Sequence, residues 1–235
     1  MNRLIGPAMD QLPLYHSLSQ EKQELLLSHL RMVMVANERV NLTRISDMEE
    51  GLLLHVEDSL TALQEMEKAP DGLYADMGSG AGFPGIPLAI ATGRKTTLID
   101  SRKKKMDEVA AIVEEMGLSG LIETYAGRAE LLARSKSGEF SVITARALSQ
   151  LSVLLELASP LLKNRGQLIC YKANLDDEEL RHAESVGKRT AMKLVSDRSF
   201  MLGSEYKRRI VVFEKHGKPL IKLPRLEGQA QKNPL

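Results

Sequence analysis

Residues 73 to 87 read Leu73-Tyr-Ala-Asp76-Met-Gly78-Ser-Gly80-Ala-Gly82-Phe83-Pro84-Gly85-Ile-Pro87. A short apolar run, Leu73 to Ala75, ends in an acid, Asp76, and four glycines follow. The pattern predicts a strand feeding a glycine-rich turn, where backbone approaches a ligand with no Cβ in the way. An acid at the strand end, ahead of the glycines, suits a cofactor with a positive charge. S-adenosylmethionine, with its amino group and sulfonium, is such a cofactor. A rival reading uses the same residues. Gly80-x-Gly82-x-x-Gly85 is a literal dinucleotide fingerprint, and Asp100 lies at about the right distance for a ribose hydroxyl. Two details favour the methyl donor. The first glycine pair, Gly78 and Gly80, starts the turn before the dinucleotide pattern places it. Pro84 and Pro87 also restrict the chain where that pattern needs a helix to run on.

Outward from this stretch the pattern alternates. Strands are predicted at 73–76, 96–100, 122–125, 140–144 and 166–172, with helices at 85–92, 102–116, 128–134, 149–162 and 176–186. Such alternation implies an α/β fold with a parallel sheet covered on both faces. Ala191 to Val195 and Arg209 to Phe213 read as two further strands with no helix between them, so one of them runs antiparallel. Upstream, Ser17 or Ser19 caps a helix through about Asn37, with Leu25, Leu26, Leu30, Val33 and Met34 at helical spacing. Ser46-x-x-Glu49 reads as a capping box opening a second helix to about Met66. Ala69-Pro-Asp-Gly72 is a turn cluster. It divides a helical extension, 1–69, from the core, 70–216, and a basic tail follows at 217–235. From about Pro219 the tail reads as extended, or partly disordered until bound.

The 235 residues are 43% hydrophobic and 27% charged, with a net charge of +1. This composition is globular. No apolar run spans a membrane and the N-terminus has no basic-then-apolar signal pattern, so the expectation is a cytoplasmic protein. A single cysteine, Cys170, excludes a disulfide framework and a cysteine-based zinc site. No second histidine or cysteine lies at ligand spacing from His55, so no metal is expected. Positive charge gathers at two places: Arg102, Lys103, Lys104 and Lys105 beside the glycine turn, and Lys218, Lys222 and Arg225 in the tail. These are candidate phosphate contacts. No exposed apolar helix is evident, and a monomer is expected.

Several segments in order resemble the bacterial 16S rRNA guanine-N7 methyltransferase family, also called glucose-inhibited division protein B. They are Asn41-Leu-Thr43, His55-x-x-Asp58-Ser59, Asp76 to Pro87, Ile99-Asp-Ser101, Gly127-Arg-Ala-Glu130 and Thr144-Ala-Arg-Ala147. The tail departs, with Leu223-Pro-Arg225 where the family has Tyr-Pro-Arg. The resemblance implies a Rossmann-like class I methyltransferase fold, a seven-stranded sheet with one reversed strand. It also implies methyl transfer from S-adenosylmethionine to N7 of a guanine in the 530 loop of 16S rRNA, free or in the 30S subunit. Carried over by position, cofactor contacts fall on Gly78, Phe83, Ala129, Glu130 and Arg146.

Guanine N7 has a lone pair and no hydrogen, so no general base is required. Positioning carries the reaction. Gly78, Gly80 and Gly82 let the backbone pass close to the cofactor, Asp76 is the candidate partner of its amino group, and Asp100 of its ribose. Arg146, after the fourth strand, is the candidate positioning residue, donating to guanine O6 or the cofactor carboxylate. Arg146→Ala is expected to harm turnover much more than folding. His55 and Asp58 share a helix face and read as a polar patch docking the N-terminal helices. Other readings stay open on the residues alone: a small-molecule methyltransferase, an NAD-dependent oxidoreductase, or an RNA-binding module without catalysis.

Overall fold

The computed structural model describes residues 11–235. The first ten residues of the expected extension, and with them the reading of the N-terminus, lie outside the described residues. The helical N-terminal part comprises α1 (Pro13–Ser17), α2 (Gln20–Asn37), α3 (Met48–Gly51), a π-helical segment (Leu52–Glu57), α4 (Asp58–Leu60) and α5 (Leu63–Lys68). Then β1 (Leu73–Met77), α6 (Gly85–Thr92), β2 (Thr96–Asp100), α7 (Lys103–Glu115), β3 (Ile122–Ala126), α8 (Ala129–Ser135), β4 (Phe140–Arg146) and α9 (Leu151–Ala158) alternate. The chain ends with β5 (Leu162–Lys172), α10 (Asp177–Thr190), β6 (Met192–Leu202), β7 (Tyr206–Lys215) and α11 (Gln229–Lys232).

The strands form one seven-stranded sheet in the order β3-β2-β1-β4-β5-β7-β6. β1 to β5 pair in parallel, and β7 runs antiparallel to both β5 and β6, which makes it the reversed strand. Central strands are apolar on both faces because helices cover both. Successive side chains alternate between those faces. Ala75, Met77 and Ile99 pack with α8, α9 and α10. Leu98 packs on the other face, where α2 and Val56 of the π segment join α6 and α7. Tyr74, Val142, Ile169, Ile210 and Val212 face a smaller cluster closed by Ala62 and Met66.

Four expectations change. The second helix is capped by Asp47, not Ser46: the Asp47 carboxylate accepts from the amides of Glu49 and Glu50, both at 2.9 Å. That helix is not continuous either, widening through the π segment and breaking at Thr61–Ala62. β5 begins at Leu162 rather than 166, because Leu162 pairs with Phe140 across a register shift. The tail is not extended. α11 folds back on the core, with Ala230 fully buried and Leu235 packed against the α8–α9 side of the sheet.

Candidate active site

The turn after β1 depends on two glycines in different ways. Gly78 has φ +74, and a Cβ there would stand 2.7 Å from Leu148. Gly85 opens α6 where a Cβ would fall 2.3 Å from Leu98, so only glycine lets this helix lie against β2. A cavity of about 220 Å³ opens at the carboxyl ends of β1 and β2, beside the switch between β1 and β4 where α/β sheets bind ligands. Gly78, Gly80, Asp100, Ala129 and Glu130, all expected at a cofactor, line it. Asp100 ends β2 and accepts from the Gly80 amide at 3.1 Å and the Arg102 amide at 2.8 Å. It therefore ties the glycine turn to the start of α7 and still fronts the cavity.

Asp76, Gly82 and Phe83 stand elsewhere. Asp76 is fully buried beneath the turn, accepting from Thr144 Oγ1 at 2.7 Å and the Gly85 amide at 3.0 Å. Burial pushes its carboxyl up to about 6, against the opposing pull of these hydrogen bonds. Asp76 thus anchors the loop from beneath and does not line the cavity, whereas a partner of the cofactor amino group was expected there. A Cβ on Gly82 would run into Ile86 and His29, so this glycine allows packing behind the turn. Phe83 is buried between two imidazoles, stacked on His55 at 4.6 Å and tilted against His29 at 4.5 Å. It supports the turn and does not line the cavity.

A second cavity of about 410 Å³ adjoins the first, and Ala147 lines both. Ala147 has φ +52, a left-handed conformation uncommon outside glycine, which turns the chain sharply after β4. Arg146 lines the second cavity with His55, Asp58, Lys172 and Arg208. Its NH1 donates to the Leu54 carbonyl at 3.0 Å and to Asp58 Oδ2 at 2.8 Å, while NH2 lies 3.5 Å from His55 Nδ1. Asp58 also accepts from Arg208 Nε at 3.0 Å. One buried carboxylate therefore holds two guanidinium groups, drawn from β4 and β7, at one wall. His55 is fixed by Thr43 Oγ1 at 2.7 Å, and the Asn37 carboxamide holds the amides of Leu42 and Thr43. Thr43 of the Asn41-Leu-Thr43 segment thus meets His55 directly. Burial, and next the Arg146 charge, lower the His55 pKa to about 3, so the ring is neutral at physiological pH.

Arg208 and Lys172 are missed as site residues in the sequence, where Arg208 is one of a basic run. Strand alternation carries the missing signal for Arg208, which shares a face with the buried Ile210 and Val212. The surface lysines fare unevenly. Arg102, Lys104, Lys218 and Lys222 are exposed. Lys103 pairs with Asp107, and Lys105 donates to the Leu42 carbonyl. Arg225, expected at RNA, is engaged with Glu156 at 2.6 Å. Cys170 is buried in β5 and burial pushes its thiol up to about 12, so it packs as a small hydrophobe. Among the described residues, no group of three or more His, Cys, Asp or Glu is placed to hold a metal ion. No helix among them is long and apolar enough to cross a membrane.

The sheet order, the glycine turn after β1 and the acid ending β2 define a class I S-adenosylmethionine-dependent methyltransferase. Solved structures agree on the fold. The antibiotic-resistance methyltransferase Kmr superposes with a TM-score of 0.54 at 17% identity, covering 67% of this chain and 92% of that one. An S-adenosylmethionine-dependent methyltransferase from Aquifex aeolicus superposes with a TM-score of 0.51 at 17% identity, covering 70% and 92%. The sequence is more specific. The family model described as GidB, rRNA small subunit methyltransferase G, matches residues 22–210. The ribosomal RNA small subunit methyltransferase G of Streptococcus pyogenes serotype M5 (strain Manfredo) is 34% identical over 223 residues, 93% of this chain and 94% of that protein. Its counterpart in Streptococcus thermophilus (strain CNRZ 1066) is 35% identical over 222 residues, 93% of each. The chain belongs to the rRNA small subunit methyltransferase G family. It is an S-adenosylmethionine-dependent rRNA methyltransferase.

Proposed function

We propose that this chain methylates N7 of a guanine in the 530 loop of 16S rRNA, with cofactor and base in two cavities that meet at Ala147. The shared wall at Ala147 is the observation that carries the reading. Bound S-adenosylmethionine supplies an electrophilic methyl group on a sulfonium. The first cavity fits that group: Asp100 offers a carboxylate for a ribose, and the space over Gly80 is open, a Cβ there meeting only the Gly78 carbonyl at 3.9 Å. Ala129 and Glu130 line its far side.

Arg146 faces the base. A free arginine takes guanine in a fork across O6 and N7, and that would cover the nucleophilic lone pair. Here Leu54 O and Asp58 use the hydrogens of NH1. The tether leaves the rest of the guanidinium to donate to O6 while N7 stays open to the methyl group. Proton transfer is not needed, and the neutral His55 and twice-paired Asp58 suit a site that positions rather than titrates. The base reaches this cavity only when splayed out of its stack. Arg102, Lys103, Lys104, Lys218 and Lys222 meet phosphates around it. We take residues 70–216 as the catalytic core, with 1–69 and 217–235 as additions, acting as a monomer in the cytoplasm.

The test is incubation with labelled S-adenosylmethionine and unmethylated 16S rRNA, naked or in 30S subunits, followed by mapping of the modified base. Label on N7 of one guanine in the 530 loop is expected. Transfer to a small acceptor without RNA, or RNA binding with no transfer, would refute it.

A further inference from the structure

We infer that the C-terminal tail completes the cofactor site, closing its Arg128–Glu130 end and placing Gln231 against the bound cofactor. This rests on reading the first cavity as the S-adenosylmethionine site. The family model matches residues 22–210, so the tail lies outside the matched segment. Gln231 nevertheless lines the same cavity as Gly78, Asp100 and Ala129.

Two latches bring it there. Glu156, on α9, is buried, and a buried carboxylate needs a partner. The tail supplies one: Arg225 donates through Nε and NH2 to the two oxygens at 2.6 and 2.5 Å, and NH2 also reaches the Asn233 carbonyl at 2.9 Å. The second latch is on the cavity itself. The Gly228 amide donates to Glu130 Oε1 at 2.8 Å. Gly228 has φ +70 and lies against the Arg128 guanidinium, so the chain turns there into α11 and delivers Gln231 to the opening. Glu130, expected at the cofactor, is therefore also the dock of the tail. A carboxamide carries a donor and an acceptor side by side, which suits the polar edge of an adenine. Binding and docking are then reciprocally linked: affinity that the ligand gains from a docked tail returns as tighter docking.

The full chain is titrated calorimetrically with S-adenosylhomocysteine, beside Gln231→Ala and Arg225→Gln, and amide exchange over 226–232 is followed with and without ligand. Gln231 is exposed, so its truncation spares the fold. Expected are severalfold weaker binding for Gln231→Ala, about tenfold for Arg225→Gln, and slower exchange in the tail on ligand binding. Wild-type affinity in Gln231→Ala, or tail exchange indifferent to the ligand, overturns the inference. Failure of the wild-type chain itself to bind S-adenosylhomocysteine overturns the cofactor reading first.

Discussion

On the proposed reading Arg146 both pairs with Asp58 and positions the base, and its replacement separates the two only if the charge is kept. Its guanidinium is mostly buried and paired with the buried Asp58. Arg146→Ala therefore costs stability as well as turnover, on the order of 3 kcal/mol for a broken buried pair, softened because Arg208 still holds Asp58. The expectation that the alanine variant harms turnover much more than folding thus carries a stability cost as well. Arg146→Lys keeps a cation beside Asp58 but loses the planar fork. We predict a melting temperature within a few degrees of wild type and turnover down by about 100-fold or more; near-normal methylation by the lysine variant would show that Arg146 does not position the base. A second residue-scale prediction concerns pH. His29 and His55 are held neutral by burial down to about 4 and about 3. Unfolded, both take up protons near 6.5, so stability falls as pH drops from 6.5 toward 4. Asp76 acts oppositely: its carboxyl, raised to about 6, adds stability as pH falls through that value. Two histidines outweigh one acid. The denaturant midpoint should fall on acidification, and His29→Gln should remove on the order of 3 kcal/mol of that pH dependence. An unchanged slope in the variant would contradict it. That the arginine after β4 would line a cavity was legible, because the sheet's carboxyl edge collects ligands. Its restraint was not, since Asp58 is 88 residues away and reads locally as one polar residue on a helix.

At the scale of elements, the core was readable because each strand and helix carries its own period. Helix α6 spans 85–92 as its sequence predicts. The π segment was not readable: Leu52, Leu53, Leu54 and Val56 fit any helical turn, and Val56 and Leu60 pack in one cluster with α2. The tail was misread for a related reason. Its composition is polar, but its order comes from a carboxylate on α9 that local sequence does not reveal. The start of α7 carries the basic cluster proposed to meet RNA. Lys104 is exposed there, beside Arg102. If Lys104 meets a phosphate, Lys104→Gln should weaken rRNA affinity and lower the slope of log K against log salt by about 0.7 to 0.9. Cofactor affinity should stay unchanged. A salt slope equal to wild type would remove Lys104 from the interface.

Across the whole molecule, the sheet order sets a schedule. β5 is bonded to β7, and β7 to β6, so the later strand lies between the two earlier ones. During synthesis, β1 to β5 can pair as they emerge, because each finds its neighbour already present or next in line. β6 cannot. Until β7 arrives, it has no strand to bond, and β5 keeps an open edge lined by Ile169 and Tyr171. An open apolar edge invites pairing with other chains. The Asp58–Arg208 bond spans 150 residues and closes at the same moment. The second cavity therefore gains its Arg208 wall only when β7 slides home, and a nascent chain whose β5 has emerged ahead of β7 holds an open strand edge beside an unfinished cavity.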